Sequence, residues 1–122
     1  MPARATGRRT PRQLDGEAAE DRAAAYLEGR GLAIVARNYR TRLGEIDLVA
    51  RDGATLVFVE VRRRLSSRSF GGAAGSIDGP KRRRIAAAAR HYLARLGTEP
   101  PCRFDVVAVQ GDDLTWLRAA FA

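Results

Sequence analysis

The apolar run Leu56-Val57-Phe58-Val59, followed at once by the acid Glu60, constrains the fold more than any other feature of the chain. A strand without polar alternation is typical of the centre of a sheet that is covered on both faces. The full strand candidate covers residues 55–64, and residues 33–40, 45–51 and 103–109 also have strand character. The turn Asp52-Gly53 predicts that two of these strands form a hairpin.

Two helices are predicted to cover this sheet. The first begins at a cap on Asp15, ends near Glu28 and points Glu20 toward the core. The second begins near Pro80, which suits the first helical position. Residues 114–121 fit either a strand or a helix. The element order αβββαβ with a short tail predicts an α/β fold with a mixed central sheet flanked by helices.

Length and composition predict one domain in a reducing compartment. At 122 residues the chain suffices for a single core, which we assign to residues 14–122. Residues 1–13 are expected to be a disordered basic arm, because they lack the apolar segment of a secretory signal. Cys102 is the single cysteine, and no apolar run approaches the length of a membrane span. We therefore expect a cytoplasmic protein.

The charge of the chain predicts a polyanionic partner. The net charge is +8 and the pI about 11.1, which favours nucleic acid. Four cations fill the first turn of the second helix, where the helix dipole disfavours them, so phosphate contact explains them better than a solvated face. These cations are Lys81, Arg82, Arg83 and Arg84. A Gly- and Ser-rich loop at 66–79 is expected to be mobile, and the basic patch extends toward it through Arg63, Arg64 and Arg68.

The hairpin brings acids together for either turn that the sequence allows. If Gly53-Ala54 is the loop, Asp47 faces Glu60 directly, with Cβ atoms about 5 Å apart. If Asp52-Gly53 is the loop, Glu60 faces Glu45, and Asp47 lies on the diagonal at about 7 Å. Arg62 projects from the same face as Glu60.

Clustered carboxylates need a compensating cation. Oxygen ligands without His or Cys suit Mg²⁺ or Mn²⁺. A surface ladder of ion pairs with Arg42, Arg51 and Arg62 is the alternative on pattern alone. Two other acids receive structural roles: Glu45 is expected to orient the hairpin, and Asp105 to bond within the fold.

Several motifs in order resemble the YraN-like family of small bacterial proteins. They are Glu20-Asp21 with Tyr26-Leu27, Gly44-Glu45-Ile46-Asp47-Leu48, Phe58-Val59-Glu60-Val61 and Arg103-Phe104-Asp105-Val106-Val107. Asp47 with Glu60-Val61-Arg62 is also similar to the PD-(D/E)xK motif of nucleases. The resemblance covers about residues 15–121. It implies a restriction-endonuclease-like fold akin to archaeal Holliday-junction resolvases.

The resemblance implies roles for individual residues. Asp47 and Glu60 would be metal ligands, helped by the Val61 carbonyl, and Glu20 would complete the site. A helix acid paired with Arg22 or Arg40 is the alternative for Glu20. The chain departs from the motif at Arg62, where the nucleases have lysine.

This departure matters because lysine can accept a proton when burial lowers its pKa, whereas arginine stays charged. Lys81, from the second helix, is therefore a candidate replacement for the motif lysine. Similar resolvases work as dimers, so the resemblance also implies a homodimer.

Three functions follow from these observations. The first is a metal-dependent nuclease that cleaves DNA, with branched or damaged DNA as candidate substrates. The second is a nucleic-acid-binding protein that keeps the nuclease fold but has lost hydrolysis at Arg62. The third is a protein-interaction module whose basic face contacts an acidic partner.

Overall fold

A computed structural model describes residues 10–63 and 77–121, which form a five-stranded sheet with a helix on each face. In chain order the elements are α1 (Pro11–Gly29), β1 (Ala33–Arg40), β2 (Glu45–Asp52), β3 (Thr55–Arg62), α2 (Gly79–Leu96), β4 (Cys102–Gln110) and β5 (Asp113–Phe121). The predicted α/β class, with its αβββαβ order, is confirmed. Residues 114–121, which fitted either a strand or a helix, belong to a strand.

Strand β3 lies at the centre of the sheet. The spatial order is β1-β2-β3-β4-β5, with β3 antiparallel to β2 and parallel to β4. The parallel pair requires a crossover, and α2 supplies it. Val57, Phe58 and Val59 are all buried although successive side chains point to opposite faces. The interpretation of the apolar run as a doubly covered strand is therefore confirmed. The strand ends at Arg62, two residues earlier than predicted.

Each face of the sheet packs against one helix. On one face the buried side chains include Ala19, Ala23 and Leu27 of α1 together with Leu48, Val57, Val59 and Val107 of the sheet. On the other face they include Ile85, Ala88 and Ala89 of α2 together with Val49, Phe58, Val106 and Ala108. The alternation of strand side chains thus divides the apolar residues between two cores.

The β2–β3 hairpin adopts one of the two registers that the sequence allowed. Asp52 pairs with Thr55 and Leu48 with Val59, so Gly53 and Ala54 form the loop. Gly53 has φ 62°, in the left-handed region that a tight hairpin turn requires. This is the register that directs Asp47 toward Glu60.

Helix α1 begins earlier than predicted. The prediction placed its cap at Asp15, but the helix begins at Pro11, and the Leu14 N–H already bonds to the Thr10 carbonyl at 3.0 Å. Thr10-Pro11 is the better start signal, since proline suits the first helical position and threonine the position before it. The predicted disordered arm at 1–13 therefore overlaps the helix at its end, and residues 1–9 lie outside the described residues.

Helix α2 begins beside Pro80, as predicted, and extends to Leu96. The Asp78 carboxylate accepts the Lys81 N–H at 2.9 Å, and Pro80 lies in the first turn. Gly97, with φ 81°, ends the helix. The predicted mobile loop at 66–79 falls mostly outside the described residues. Among the helices that are described, none is long and apolar enough to cross a membrane.

Asp105 fixes the junction of β4 and β5, as its predicted structural role requires. Its carboxylate is fully buried and accepts hydrogen bonds from Arg103 Nε at 3.0 Å, Trp116 Nε1 at 2.9 Å and the Ala119 N–H at 2.9 Å. The strand register shifts at this point, and Ala119 has φ 50°. Arg103 also pairs with Asp52 at 3.0 Å, which ties the start of β4 to the β2–β3 turn.

Candidate active site

Asp47 and Glu60 meet where strands β2 and β3 stop pairing. The backbone ladder runs as far as Leu48 and Val59. Beyond it, the Val61 N–H donates to Asp47 Oδ2 at 2.8 Å. The two carboxyl groups are close enough for the charge of Asp47 to raise the pKa of Glu60, so this arrangement suits a pair that is not fully ionised.

Two cations contact Glu60 from different elements. Lys81 Nζ, at the start of α2, lies 3.4 Å from Glu60 Oε2, and Arg62 Nη1, at the end of β3, lies 3.6 Å from the same oxygen. The Glu60 side chain is only 5% exposed. The structure thus places Asp47, Glu60, Arg62 and Lys81 in one cluster. Their chemical roles remain predictions.

The protonation of this pair reflects its burial. Desolvation, followed by the charge of Asp47, raises the pKa of Glu60 from 4.5 to about 7, and Lys81 and Arg62 offset this only in part. Burial also raises the pKa of Asp47, against the effect of the Val61 hydrogen bond. The positive charges of Lys81 and Arg62 therefore do not fully compensate the negative charges of Asp47 and Glu60. Of the alternative ladder of ion pairs with Arg42, Arg51 and Arg62, the described residues show the contact of Arg62 with Glu60, which is buried and not on the surface.

Glu20 of α1 borders the pair. Burial and then the charge of Asp47 raise its pKa, whereas a hydrogen bond to Asn38 and the charge of Arg37 lower it. Helical periodicity predicted that Glu20 points toward the core. In the structure Glu20 is close enough to Asp47 for the charge of Asp47 to raise its pKa. Asn38 was missed at the sequence level. Its φ of 52° inside β1 is rare for a strand, and an asparagine within a strand pattern is the signal that was available.

Glu45 stands apart from the buried pair. It is exposed and forms an ion pair with Arg40 across the β1–β2 strands at 3.4 Å. This contact joins β2 to β1, and the expected role of Glu45 in orienting the β2–β3 hairpin stays a prediction. Its charge still contributes to raising the pKa values of Glu20 and Asp47.

The run of four cations in α2 divides into two kinds of residue. Lys81 turns toward Glu60. Arg82 donates through Nε to the Ile77 carbonyl at 3.0 Å, and its guanidinium lies 5.4 Å from the centre of the Phe121 ring. Arg83 and Arg84 are exposed. The run is therefore not one uniform phosphate-binding surface, because its first two members are half-buried in contacts within the protein.

Three further basic residues were predicted to contact nucleic acid: Arg63, Arg64 and Arg68. Arg63 is half-buried and follows the end of β3. Arg64 and Arg68 lie outside the described residues. The proposed extension of the basic patch into the glycine-rich loop thus stays a prediction.

The donor set suits a hard cation with water ligands. Within residues 10–63 and 77–121, no group of three or more His, Cys, Asp and Glu side chains is arranged to hold a metal. Mg²⁺ commonly binds through one or two carboxylates and keeps several waters. The undercompensated carboxylates of Asp47 and Glu60 fit that pattern. The Val61 N–H is seen to bind Asp47, while the Val61 carbonyl as a metal ligand remains a prediction.

The raised pKa of Glu60 predicts a pH-dependent stability for the metal-free protein. The folded protein keeps this proton up to about pH 7, whereas the unfolded chain releases it near 4.5. Its contribution to stability is therefore complete below pH 4.5 and is lost as the pH rises through 7, by about 3 kcal/mol. Thermal unfolding in EDTA should show a falling Tm between pH 5 and 8. A flat profile that matches that of Glu60→Gln would contradict it.

Comparison with known proteins shows the family to which the chain belongs. The profile described as "Uncharacterised protein family UPF0102" matches residues 19–109, a span that contains every acid of the site. A UPF0102 protein of Cupriavidus taiwanensis is 62% identical over 112 residues, which cover 90% of this chain and 84% of the relative. One from Methylibium petroleiphilum is 58% identical over 113 residues, covering 87% and 92%. One from a Janthinobacterium species is 52% identical over 112 residues, covering 92% and 90%. The resemblance found in the sequence motifs is confirmed, and the chain belongs to the UPF0102 family, that of the YraN-like proteins.

Proposed function

We propose that this protein is a metal-dependent nuclease that hydrolyses phosphodiester bonds in DNA. The observation that carries the proposal is the pairing of half-buried Asp47 with buried Glu60, with Lys81 Nζ 3.4 Å from Glu60 Oε2. Keeping two acids together in a half-closed site costs stability, so the arrangement needs a functional reason. A divalent cation bound at the pair supplies that reason.

The cation would be Mg²⁺ or Mn²⁺, held by Asp47 and Glu60, with Glu20 bordering the site. When bound, such an ion polarises a phosphate and lowers the pKa of a bound water. The chain's own residues supply the rest. Lys81 would orient the attacking water. Only the neutral form of its amine could take up the proton of that water, a role that arginine, which stays charged, could not fill. Arg62 stays charged and stabilises the negative charge of the phosphate.

The basic surface supports DNA as the substrate. The net charge of +8 favours a polyanion, and the exposed Arg83 and Arg84 lie on the same helix as Lys81. Sequence-independent contacts of this kind bind phosphates and position the duplex. A cytoplasmic location, with the free thiol of Cys102 kept reduced, is part of the proposal. Branched or damaged DNA as the substrate and a homodimer as the active form are further predictions.

The experiment is a cleavage assay on plasmid, linear and branched DNA with Mg²⁺, with Mn²⁺ and with EDTA. Cleavage that requires the metal supports the proposal. Absence of cleavage with either ion on all substrates, by protein that is folded and binds DNA, would refute it. Preparation of the wild type and the Asp47→Asn variant in parallel excludes a contaminating nuclease.

Substitutions can distinguish the proposed roles of Lys81 and Arg62. Lys81→Ala should lower the cleavage rate by about 10²- to 10⁴-fold, the usual contribution of a general base. Lys81→Arg keeps the charge beside Glu60 but cannot accept a proton, so we expect it to be equally impaired. Arg62→Lys should retain activity. Full activity of Lys81→Arg would show that Lys81 contributes charge alone.

A non-catalytic nucleic-acid-binding protein is the alternative. It is favoured by Arg62 at the position of the motif lysine, in contact with Glu60 at 3.6 Å. This function predicts DNA affinity that falls steeply with salt and does not depend on metal. Metal-independent binding without cleavage would establish it. Absence of DNA affinity even at low salt would leave the protein-interaction module.

A further inference from the structure

The β1–β2 turn, Thr41–Gly44, is held rigidly beside the site. Thr41 Oγ1 accepts the N–H groups of Leu43 and Gly44, both at 3.1 Å, and the Thr41 N–H donates to the Gly44 carbonyl at 2.8 Å. A Cβ on Gly44 would lie 2.1 Å from the Arg84 carbonyl oxygen, so the glycine backbone packs directly against α2. Any other residue would push the turn away from the helix.

The turn and α2 form a basic groove. Two adjoining cavities, of 260 and 770 Å³, share Thr41, Arg42 and Leu43 in their walls. The charged side chains that line them are Arg40, Arg42, Glu45, Lys81 and Arg84. Glu45 is paired with Arg40. Arg42 and Arg84 are exposed and form no ion pair with an acid in the described part of the chain. A net positive groove thus leads to Lys81, which contacts Glu60.

Leu43 is the apolar residue on the rim of this groove. Its side chain is 68% exposed, against 51% for Leu14, the next most exposed large apolar residue of the described ranges. The hydrogen bonds of the turn fix its backbone, so the exposure is not that of a loose loop. An apolar side chain between arginines can contact the face of an unstacked base while the arginines hold the phosphates. A fully paired duplex offers no such base face.

The geometry points to a DNA-binding site in the groove between the Thr41–Gly44 turn and α2, where Arg42 and Arg84 bind phosphates and Leu43 contacts an unpaired base next to the cleaved bond. This inference rests on the proposed function for the position of the cleaved bond. It defines the substrate class as DNA with unpaired bases beside the site. The groove then selects the substrate, and the acid pair acts on it.

Binding in EDTA tests the inference apart from cleavage. Fluorescence anisotropy would compare a labelled duplex with the same duplex carrying a short unpaired gap. Leu43→Ala should weaken binding to gapped DNA about 5- to 10-fold and leave duplex binding within twofold. Arg42→Ala and Arg84→Ala should weaken binding to both and should each reduce the salt slope by about 0.9. Val35→Ala, an exposed apolar control on β1, should change neither.

The fluorescence of an introduced tryptophan provides a second measurement. In Leu43→Trp, the new indole should be quenched by gapped DNA and not by duplex. Equal losses on both DNAs for Leu43→Ala, or no loss on either, would overturn the base contact. Unchanged salt slopes for both arginine variants would overturn the groove. Wild type that cleaves with metal but binds both DNAs equally would refute this inference alone, and gap-selective binding without cleavage would refute only the nuclease.

Discussion

Glu60→Gln is expected to raise the thermal stability of the metal-free protein at pH 8 and to abolish metal-dependent cleavage of DNA. The stability should rise because burial and Asp47 disfavour the Glu60 carboxylate at that pH, and a neutral amide removes this cost. The free energy of unfolding should rise by about 1–3 kcal/mol. The loss of the ion pairs with Lys81 and Arg62 reduces this gain. Cleavage should fall on the order of 10³-fold or more, because losing a ligand affects both water activation and charge stabilisation.

A rise in thermal stability together with a loss of cleavage would show that Asp47 and Glu60 are paired for function and not to hold the fold. Asp47→Asn should behave like Glu60→Gln in cleavage but should gain less stability, since its carboxylate also accepts the Val61 N–H. Glu28→Gln is the matched control, an exposed acid two turns farther along α1 than Glu20, and should change neither quantity. If Glu60→Gln lowered the Tm at pH 8 as well as the activity, Glu60 would be an ion-pair partner that holds the fold.

Asp105→Ala is expected to destabilise the fold by about 3–5 kcal/mol. The substitution removes the acceptor for Arg103, the Trp116 indole and the Ala119 N–H together, and it leaves Arg103 half-buried without its principal partner. Urea unfolding followed by circular dichroism would measure the loss as a lower midpoint with an unchanged m-value.

Two further variants make this result specific. Asp105→Asn keeps an acceptor oxygen and should lose less stability than Asp105→Ala. Asp113→Ala changes an exposed acid on β5 and should stay within about 0.5 kcal/mol of the wild type. A loss below about 1 kcal/mol for Asp105→Ala would show that the buried network contributes little. Cleavage per folded molecule should be unaffected, because Asp105 lies outside the acid cluster.

The acid pair was accessible from sequence because strand alternation is a local rule. Once the run 56–59 was assigned to a central strand, either two-residue turn placed Asp47 and Glu60 on one face, and the structure adopts the turn formed by Gly53 and Ala54. Helical periodicity also placed Glu20 on an inward face. These inferences need only the position of each residue within its own element.

Contacts between elements were less accessible. Lys81 was proposed as a substitute for the motif lysine by analogy, but nothing in the helical pattern of α2 gives its 3.4 Å contact with Glu60. Arg82 looked like its neighbours in sequence, and its bond to the Ile77 carbonyl depends on the path of the preceding segment. The β5 strand was undecided, although Gly111-Asp112 between two apolar runs is a hairpin signal. The Asn38 contact with Glu20 depends on a left-handed residue that propensity does not place.

The small side chains beneath α2 have a consequence for how such a site can change. Lys81 belongs to the helix, whereas Asp47 and Glu60 belong to the hairpin, and the core on the α2 face of the sheet contains Ala88 and Ala89. The distance between Lys81 and the acids therefore depends on side-chain volume in this core as well as on the strands that carry the acids. One added methyl group there would lift the helix and separate Lys81 from Glu60 without altering a polar residue. The proposed activity can thus be tuned, or lost, through the apolar interior.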